Sequence, residues 1–410
     1  MRFTFIHAAD LHIDSPLAGL GCKDASVRER FAHAGRKAVE NLIDETIEAK
    51  AAFLLVSGDI FDGDWKDVST GFFLVRALAK LDRAGIQTFV VKGNHDFDSA
   101  MAKALPYPGS VKFFGPRKAE SFEIESLRVA LHGRSFGARL VGADFLASYP
   151  ARREGWFNIG LLHTALDGTR GHASYAPCGV EDLKRFGYDY WALGHVHEAE
   201  IVARDPWVVY PGNIQGRHVR ETGPKGAMRV TVEDGRVVAA RPIALDAARW
   251  AHVRIDVTHC EDEQQALAEA EARLRDEQGR AEGRPLALRA TLHGATPLHS
   301  KLVARREILE EELRAIGFRC ADDLWVEALK IETEAPPRAP APLGEADALD
   351  VEALIAAAAA TPEFAQTLAG LVGEIEEKLP RELRGELGGD LAAQARDRLC
   401  GELLAPGRGA

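Results

Sequence analysis

The chain has 410 residues, of which 46% are apolar and 28% charged, and its net charge is −11. This composition is typical of a globular protein and excludes wholesale disorder, a collagen-like chain and a small disulfide scaffold. Since one core rarely exceeds about 250–300 residues, two or three domains are expected. The acidic balance argues against a non-specific nucleic-acid coat, because such proteins are usually basic.

Three features of the sequence bear on the cellular compartment of the protein: its cysteines, its apolar runs and its first residues. The five cysteines are scattered without a C-x-x-C pair, which favours free thiols in a reducing cytoplasm over a cysteine-built zinc site. Apolar runs stay short of the ~18–20 residues needed to span a bilayer. The first residues lack the long apolar segment of a signal peptide. We therefore predict a cytoplasmic protein with no membrane partner.

Strands and helices alternate through a first domain, predicted over residues 1–245. The apolar runs predict strands at 2–8, 52–57, 87–91, 157–162 and 190–193, and helices over 26–49 and 67–83. Shorter runs at 208–210, 227–232 and 236–240 predict a sheet that closes the domain. Because α/β sheets place their sites at the carboxyl ends of strands, the polar residues that follow these runs are the functional candidates.

A second, smaller α/β domain is predicted over residues 246–334, with strands at 251–257, 286–292 and 324–331 and helices at 261–279 and 299–316. Residues 335–346, rich in Pro and Ala, predict a semi-rigid linker. Residues 347–410 predict a helical tail, in which Thr361 caps a helix that begins at Pro362. From Glu345 onward there are 13 acidic and 6 basic residues, so most of the acidic excess lies here. The apolar face of the tail requires burial, either on the body of the protein or on a partner.

Five short polar segments each follow a predicted strand. They are D-x-H at residues 10–12, G-D at 58–59, G-N-H-D at 93–96, His163, and G-H-V-H at 194–197. Carboxylate, amide and imidazole donors suit a hard divalent ion such as Mn²⁺. Two such ions ~3.5–4 Å apart clamp both the attacking and the leaving oxygen of a phosphoryl transfer. Each segment alone has an ordinary explanation as a helix cap or a core histidine, but the ordered set predicts a two-metal hydrolase.

In this order the five segments resemble the blocks of the calcineurin-like metallophosphoesterase superfamily. The stretches H-A-A-D-L-H-I-D-S-P-L at 7–17 and Y-P-G-N-I-Q-G-R-H-V-R-E-T-G-P-K at 210–225 are further similar to its DNA-repair exonuclease branch. That branch includes the nuclease subunit of the bacterial SbcCD complex and YhaO-like proteins. The resemblance is densest over residues 1–220 and only architectural beyond 250. It implies an α/β fold: a two-sheet sandwich flanked by helices, a smaller α/β capping domain and a helical C-terminal tail.

The resemblance also implies a ligand set for two divalent ions, expected to be Mn²⁺. Asp59 would bridge them. The first ion would also be bound by Asp10, His12 and His197. The second ion would also be bound by Asn94, His163 and His195.

Two catalytic residues follow from the same resemblance. His95 would act at the leaving oxygen, and Asp96 would orient it. Some members carry a second active-site histidine where this chain has Asp62, so no catalytic role is predicted for Asp62. Arg217 and Arg220 lie in a Gly-rich loop and are either DNA phosphate ligands or solvated surface arginines.

The predicted function is a Mn²⁺-dependent DNA exonuclease/endonuclease in double-strand-break repair. It would grip DNA ends or single strands without sequence specificity, and the resemblance implies an SMC-like coiled-coil ATPase partner and a homodimer. One alternative is a metallophosphoesterase acting on nucleotides or other small phosphodiesters. Another is a non-enzymatic scaffold that keeps its metals. The second domain, the tail and the G-R-H-V-R stretch favour the nuclease, and a scaffold would be expected to lack His95 or a ligand.

Overall fold

The computed structural model describes residues 1–15, 27, 31–62, 68–96, 105–138, 142–166, 176–336 and 357–378. The chain divides into two units, one of residues 1–251 with 283–287 and one of residues 252–282 with 288 onward. From residue 337 onward the predicted linker lies outside the described residues, so the domain boundaries at 245, 334 and 346 stay predictions.

The first unit contains two six-stranded sheets. One has the order β12-β11-β1-β2-β3-β4 and the other the order β5-β6-β7-β8-β10-β9. In chain order their strands are β1 Arg2–Ala8, β2 Phe53–Ser57, β3 Gln87–Val91, β4 Val111–Phe113, β5 Glu120–Ile124, β6 Val129–Gly133, β7 Phe157–His163, β8 Tyr190–Gly194, β9 Ala199–Arg204, β10 Trp207–Pro211, β11 Gly226–Glu233 and β12 Arg236–Ala244. Strands β1 to β4 pair in parallel, as do β6, β7, β8 and β10.

Helices cover the outer faces of these sheets. They are α1 Ala34–Glu48, α2 Val68–Arg83 and α3 Val180–Lys184, with 3-10 turns at Glu125–Leu127 and Ala143–Ser148. Side chains alternate across β1, so Phe5 enters the core between the sheets and Ile6 enters the core under α1 and α2. Phe5 stacks on Phe53 and meets Tyr190 of the other sheet edge-on. The predicted two-sheet sandwich flanked by helices is confirmed.

The second unit is built on a three-stranded sheet of order β13-β14-β15. Its strands are β13 Arg249–Asp256, β14 Leu286–Ala295 and β15 Leu324–Glu334, and its helices are α4 Glu263–Arg280, α5 His299–Ala304 and α6 Arg306–Cys320. The single helix predicted over 299–316 is two helices, because Arg305 leaves helical conformation with φ −103° and ψ 14°. The predicted second α/β fold is present.

One helix of the predicted tail is described, α7 Pro362–Lys378. Its first turn is capped as predicted, since the Thr361 hydroxyl accepts a hydrogen bond from the Phe364 amide at 3.3 Å. Leu371 and Ile375 stand exposed on it. None of the helices in the described part of the chain is long and apolar enough to cross a membrane.

Candidate active site

The five polar segments meet where strands of the two sheets end. Asp10, Asp59 and Asn94 follow β1, β2 and β3 of one sheet, whereas His163 ends β7 and His195 follows β8 of the other. The carboxyl ends of parallel strands share one edge of a sheet, and two stacked sheets bring two such edges together. The sequence pattern therefore predicts the location of the site.

The backbone is strained at this edge. Four non-glycine residues have positive φ: Asp10 at 52°, His12 at 39°, Asp59 at 51° and His195 at 96°. Such conformations persist when surrounding structure over-determines them. Here the first loop is hydrogen-bonded onto the second, because the amides of Asp10 and His12 donate to the carbonyls of Gly58 and Asp59 at 2.9 and 3.1 Å. The loops are thus held rigidly with their side chains converging.

Two glycines permit the close approach of the sheets. A Cβ on Gly58 would lie 2.3 Å from Nδ1 of His163, and a Cβ on Gly194 would lie 1.9 Å from the carbonyl oxygen of Ser57. Both distances are far inside van der Waals contact. Glycine at these positions lets the motif side chains approach one another.

One group of candidate ligands consists of Asp10, His12 and His197, whose ligand atoms all lie within 4.8 Å of one another. The Nε2 atoms of His12 and His197 are 3.2 Å apart, and Nε2 of His197 is 3.8 Å from Asp10 Oδ1. The Asp10 carboxylate accepts a hydrogen bond from the His195 amide at 2.9 Å. This contact fixes the carboxylate in place.

A second group consists of Asp59, His163 and His195, again within 4.8 Å. Nε2 of His163 lies 3.3 Å from Asp59 Oδ2 and 3.0 Å from Oδ1 of Asn94. Nδ1 of His163 donates to the carbonyl of Ser57 at 2.9 Å, so Nε2 is the nitrogen left to bind a ligand. Oδ2 of Asp59 also lies 3.9 Å from Nε2 of His12. Asp59 therefore faces both groups.

The buried carboxylates and imidazoles of the two groups are electrostatically coupled. Burial alone would lower the pKa of His163, but the Asp59 carboxylate beside it raises that pKa to about 9. Burial would raise the pKa of Asp59, and His163 instead holds it well below its usual range. Burial raises the pKa of Asp10 to about 6 and lowers that of His12 to about 3. Buried carboxylates facing imidazole nitrogens are a donor set that suits two divalent ions.

His95 lies beside these groups and lines the cleft. Its Nδ1 is 3.1 Å from Asp62 Oδ1, and this hydrogen bond raises the pKa of His95. The expected orienting residue, Asp96, is instead buried and accepts hydrogen bonds from the amides of Gly93, Ile60 and Phe61 at 2.9–3.1 Å. Asp96 therefore braces two loops of the site, and among the described residues Asp62 is a carboxylate that contacts the His95 ring.

Glu221 is a site residue that the motif analysis missed. Its Oε1 lies 2.6 Å from Nδ1 of His197, the arrangement in which a carboxylate orients a metal-binding histidine. Burial would raise the pKa of Glu221, but His197 and Arg217 hold it well below its usual range. The signal was present in the G-R-H-V-R-E stretch, but spacing alone does not show which carboxylate folds back onto a histidine.

A cleft of about 800 Å³ opens over both groups. Arg217 lines it but is largely buried, because its guanidinium pairs with Glu221 at 3.1 Å and approaches Asp62 at 3.8 Å. Arg220 is exposed on the rim. Lys225 donates from Nζ to the His197 carbonyl at 2.8 Å. The two predicted DNA-contacting arginines therefore differ. Arg217 forms ion pairs with carboxylates, whereas Arg220 lines the open cleft and is exposed.

Comparisons with known proteins agree with this site. Residues 3–199 match the calcineurin-like phosphoesterase family, and residues 250–334 match the family described as the middle domain of metallophosphoesterase YhaO. The uncharacterized metallophosphoesterase YhaO of Bacillus subtilis is 34% identical over 341 residues, covering 81% of this chain and 82% of its own.

More distant relatives are DNA double-strand break repair proteins. The DNA double-strand break repair protein Mre11 of Methanopyrus kandleri is 25% identical over 50% of this chain and 48% of its own. Mre11 of Sulfurisphaera tokodaii is 22% identical over 64% of this chain and 68% of its own. The family match and the extent of the YhaO similarity show that the chain belongs to the calcineurin-like metallophosphoesterases, a family of metal-dependent phosphoester hydrolases.

Proposed function

We propose that the protein is a Mn²⁺-dependent DNA exonuclease/endonuclease that hydrolyses phosphodiester bonds at DNA ends or in single strands. The observation that carries the proposal is the open cleft of about 800 Å³, which is lined by members of both groups of candidate metal ligands and by the exposed Arg220. A polyanionic backbone requires both features, because cations hold its phosphates and metals activate them.

Two divalent ions fit the side chains present. The first ion would be held by Asp10, His12 and His197, and the second by Asn94, His163 and His195. Asp59 would contribute to both ions. The carboxylate and amide oxygens of this set suit Mn²⁺, whereas its imidazole nitrogens are ligands that several divalent metals accept. When bound, the ions would supply a hydroxide nucleophile at neutral pH and stabilise charge on phosphorus oxygens.

His95 is the proposed general acid. It lines the cleft beside both ligand groups, and its amide donates to Asp59 Oδ1 at 3.0 Å. A protonated imidazole there would donate a proton to the departing 3′ oxygen, and such acid catalysis is typically worth about 10²–10⁴-fold. Arg220 would hold a backbone phosphate on the rim. Neither residue distinguishes bases, which agrees with binding that is not sequence-specific.

We infer further that the enzyme acts in double-strand-break repair. We infer that an SMC-like ATPase binds its tail and that the protein also forms a homodimer. Support comes from the Mre11 relatives, which are DNA double-strand break repair proteins, and from α7, where Leu371 and Ile375 are exposed at helical spacing. An amphipathic helix laid in a groove is a common docking mode. Free thiols at Cys178, Cys260 and Cys320 agree with a cytoplasmic location.

A second candidate function is hydrolysis of nucleotides or other small phosphodiesters. It is favoured by Glu198 and Glu200, which line the same cleft and would repel a long polyanion more than a short one.

The deciding experiment compares end-labelled single- and double-stranded DNA with a chromogenic phosphodiester, each with Mn²⁺ or with EDTA. We expect Mn²⁺-dependent DNA shortening that His95→Ala reduces about 10²–10⁴-fold without loss of bound metal. Arg220→Ala should weaken DNA cleavage and leave the small ester unaffected. Arg185→Ala, an arginine exposed by 78% and outside the cleft, is the matched control. Hydrolysis of the small ester alone would favour the second candidate.

A further inference from the structure

We propose that Asn213 is a positioning residue for the candidate metal ligand His197, and that it acts through the carboxylate of Glu221. The inference rests on the proposed function and deepens it, because it names the group that fixes the ligand geometry of one of the two metal ions. Asn213 is fully buried and lies two residues after Pro211, the last residue of β10. Its side chain therefore connects the end of a sheet strand to Glu221.

The Glu221 carboxylate is bound at both of its oxygens. Oε1 lies 2.6 Å from Nδ1 of His197. Oε2 accepts hydrogen bonds from Nδ2 of Asn213 at 2.9 Å and from the Arg217 amide at 2.8 Å. Because a carboxylate is planar, fixing Oε2 also fixes the direction in which Oε1 meets His197. Nε2 of His197, the opposite nitrogen, is then held toward the other ligands of its group.

The side-chain amide of Asn213 has only one favourable orientation. Its Nδ2 donates both to Glu221 and to the carbonyl of Gln215, the latter at 2.8 Å. A reversed amide would place Oδ1 against these two acceptors. Oδ1 itself is buried and has no hydrogen-bond partner within the described part of the chain. Such an atom costs free energy, and departures of this kind concentrate at functional sites. The unpartnered oxygen therefore indicates that Asn213 serves its two N–H bonds.

The chain is fixed on both sides of Asn213. On one side, a Cβ on Gly212 would lie 3.0 Å from the backbone nitrogen of Ala199, so the backbone packs closely there. On the other side, Nε2 of the buried Gln215 donates to the Ala248 carbonyl at 2.7 Å. A donor held in this way keeps its partner within a narrow range of positions. Asn213 can therefore hold Glu221 in place.

The test measures Mn²⁺ affinity by calorimetric titration of the metal-free protein. Asn213→Leu removes both N–H donors and nearly keeps the side-chain volume. We expect it to weaken the binding of one ion about tenfold and to change that of the other less than about threefold. In a Glu221→Gln background the same substitution should change either affinity less than about threefold, because residues of one network are not additive. Asp44→Asn, which removes an exposed carboxylate paired with Lys80, should leave both affinities unchanged.

Asn158→Leu is the matched control for loss of a buried amide. Asn158 is also fully buried, and its Nδ2 also donates two hydrogen bonds. It is the second residue of β7, whereas the candidate ligand His163 is the last. We expect Asn158→Leu to lower Tm as Asn213→Leu does and to leave both Mn²⁺ affinities unchanged. If Asn213→Leu does not fold, Asn213→Ala removes the same donors, and the same results are expected of it.

Equal losses for both ions, or additive losses in the double variant, would overturn the assignment, since either indicates a general structural role. A second readout needs no metal. In ¹⁵N-histidine spectra, with His197 assigned by its absence in His197→Gln, the His197 signals should shift in Asn213→Leu and stay in place in Asn158→Leu. Unchanged His197 signals in Asn213→Leu refute the proposal. If the wild type binds Mn²⁺ but cleaves no DNA, the proposed function fails while the titrations and spectra still decide the role of Asn213.

Discussion

Two histidines of the site are each backed by a carboxylate from another loop. Glu221 contacts Nδ1 of His197 at 2.6 Å, and Asp62 contacts Nδ1 of His95 at 3.1 Å. Arg217 lies between the two carboxylates, 3.1 Å from Glu221 and 3.8 Å from Asp62. One guanidinium thus offsets part of the negative charge of both carboxylates. A carboxylate bound to Nδ1 thus supports two kinds of histidine, since His197 is a candidate metal ligand and His95 a candidate general acid.

Replacing Glu221 should weaken metal binding. The low pKa of Glu221 keeps it ionised at neutral pH, and an ionised carboxylate makes the opposite nitrogen of His197 a better ligand. We expect Glu221→Gln to reduce the affinity for Mn²⁺ about 10–100-fold, measured by calorimetric titration of the metal-free protein. Glu181→Gln, whose side chain is 75% exposed, is the matched control. An unchanged Mn²⁺ affinity in Glu221→Gln would contradict the role assigned here.

At the residue scale, sequence predicts the motif residues but not their supports. Asp10, Asp59 and His163 stand out because each follows a strand and belongs to an ordered pattern. Glu221 and Asp62 are ordinary acidic residues in polar loops, and only the folded chain shows which histidine each one contacts. The same limit explains why Asp96 was expected to orient His95, since adjacency in sequence does not indicate direction in space.

Among the elements, the central strands were predictable for a clear physical reason. Strands β2, β7 and β8 are buried along their whole length, so they are near-continuous apolar runs. β3 was predicted with its observed bounds, Gln87–Val91. In contrast, β5 is largely exposed and β9 is half-buried. Neither carries such a run, so both were missed. β6 was also missed although it is buried along its whole length, because its apolar run V-A-L is only three residues long. Burial on both faces therefore makes a strand recognisable from sequence only where it produces a longer apolar run.

The close approach of β8 to β2 leads to a prediction about stability. A Cβ on Gly194 would meet the backbone carbonyl of Ser57 at 1.9 Å, and backbone cannot move aside cheaply. Overpacking of this kind costs about 1–3 kcal/mol or more, so Gly194→Ala should lower the Tm of the protein by roughly 5–10 °C.

Calorimetric scans of Gly194→Ala and of Gly109→Ala make the comparison. Gly109 has open space around its Cβ position, so its substitution should leave Tm within about 1–2 °C of the wild type. Equal melting temperatures for all three proteins would show that the two sheets relax apart at little cost.

For the whole molecule, net charge is a poor guide to the site. The chain carries −11 overall, and the cleft is lined by Arg217, Arg220 and Lys225 together with four carboxylates, those of Asp59, Glu198, Glu200 and Glu221. Fields inside a cleft are set by the nearest charges, and bound divalent ions would add the largest positive charge there. The acidic excess of the chain is concentrated in the tail, where it favours solubility.

Metal binding should therefore stabilise the whole first unit. The two ligand groups join loops from both sheets, and without a cation the buried carboxylates of Asp10 and Asp59 repel each other. A ligand that binds only the folded state at 100 times its Kd adds about 2.7 kcal/mol, so Mn²⁺ should raise Tm by roughly 5–10 °C and EDTA should reverse it. Asp59→Asn should abolish most of this rise, because Asp59 faces both groups, whereas Asp44→Asn should keep it. If Mn²⁺ left Tm unchanged in the wild type, the two groups would not hold metal in the folded protein.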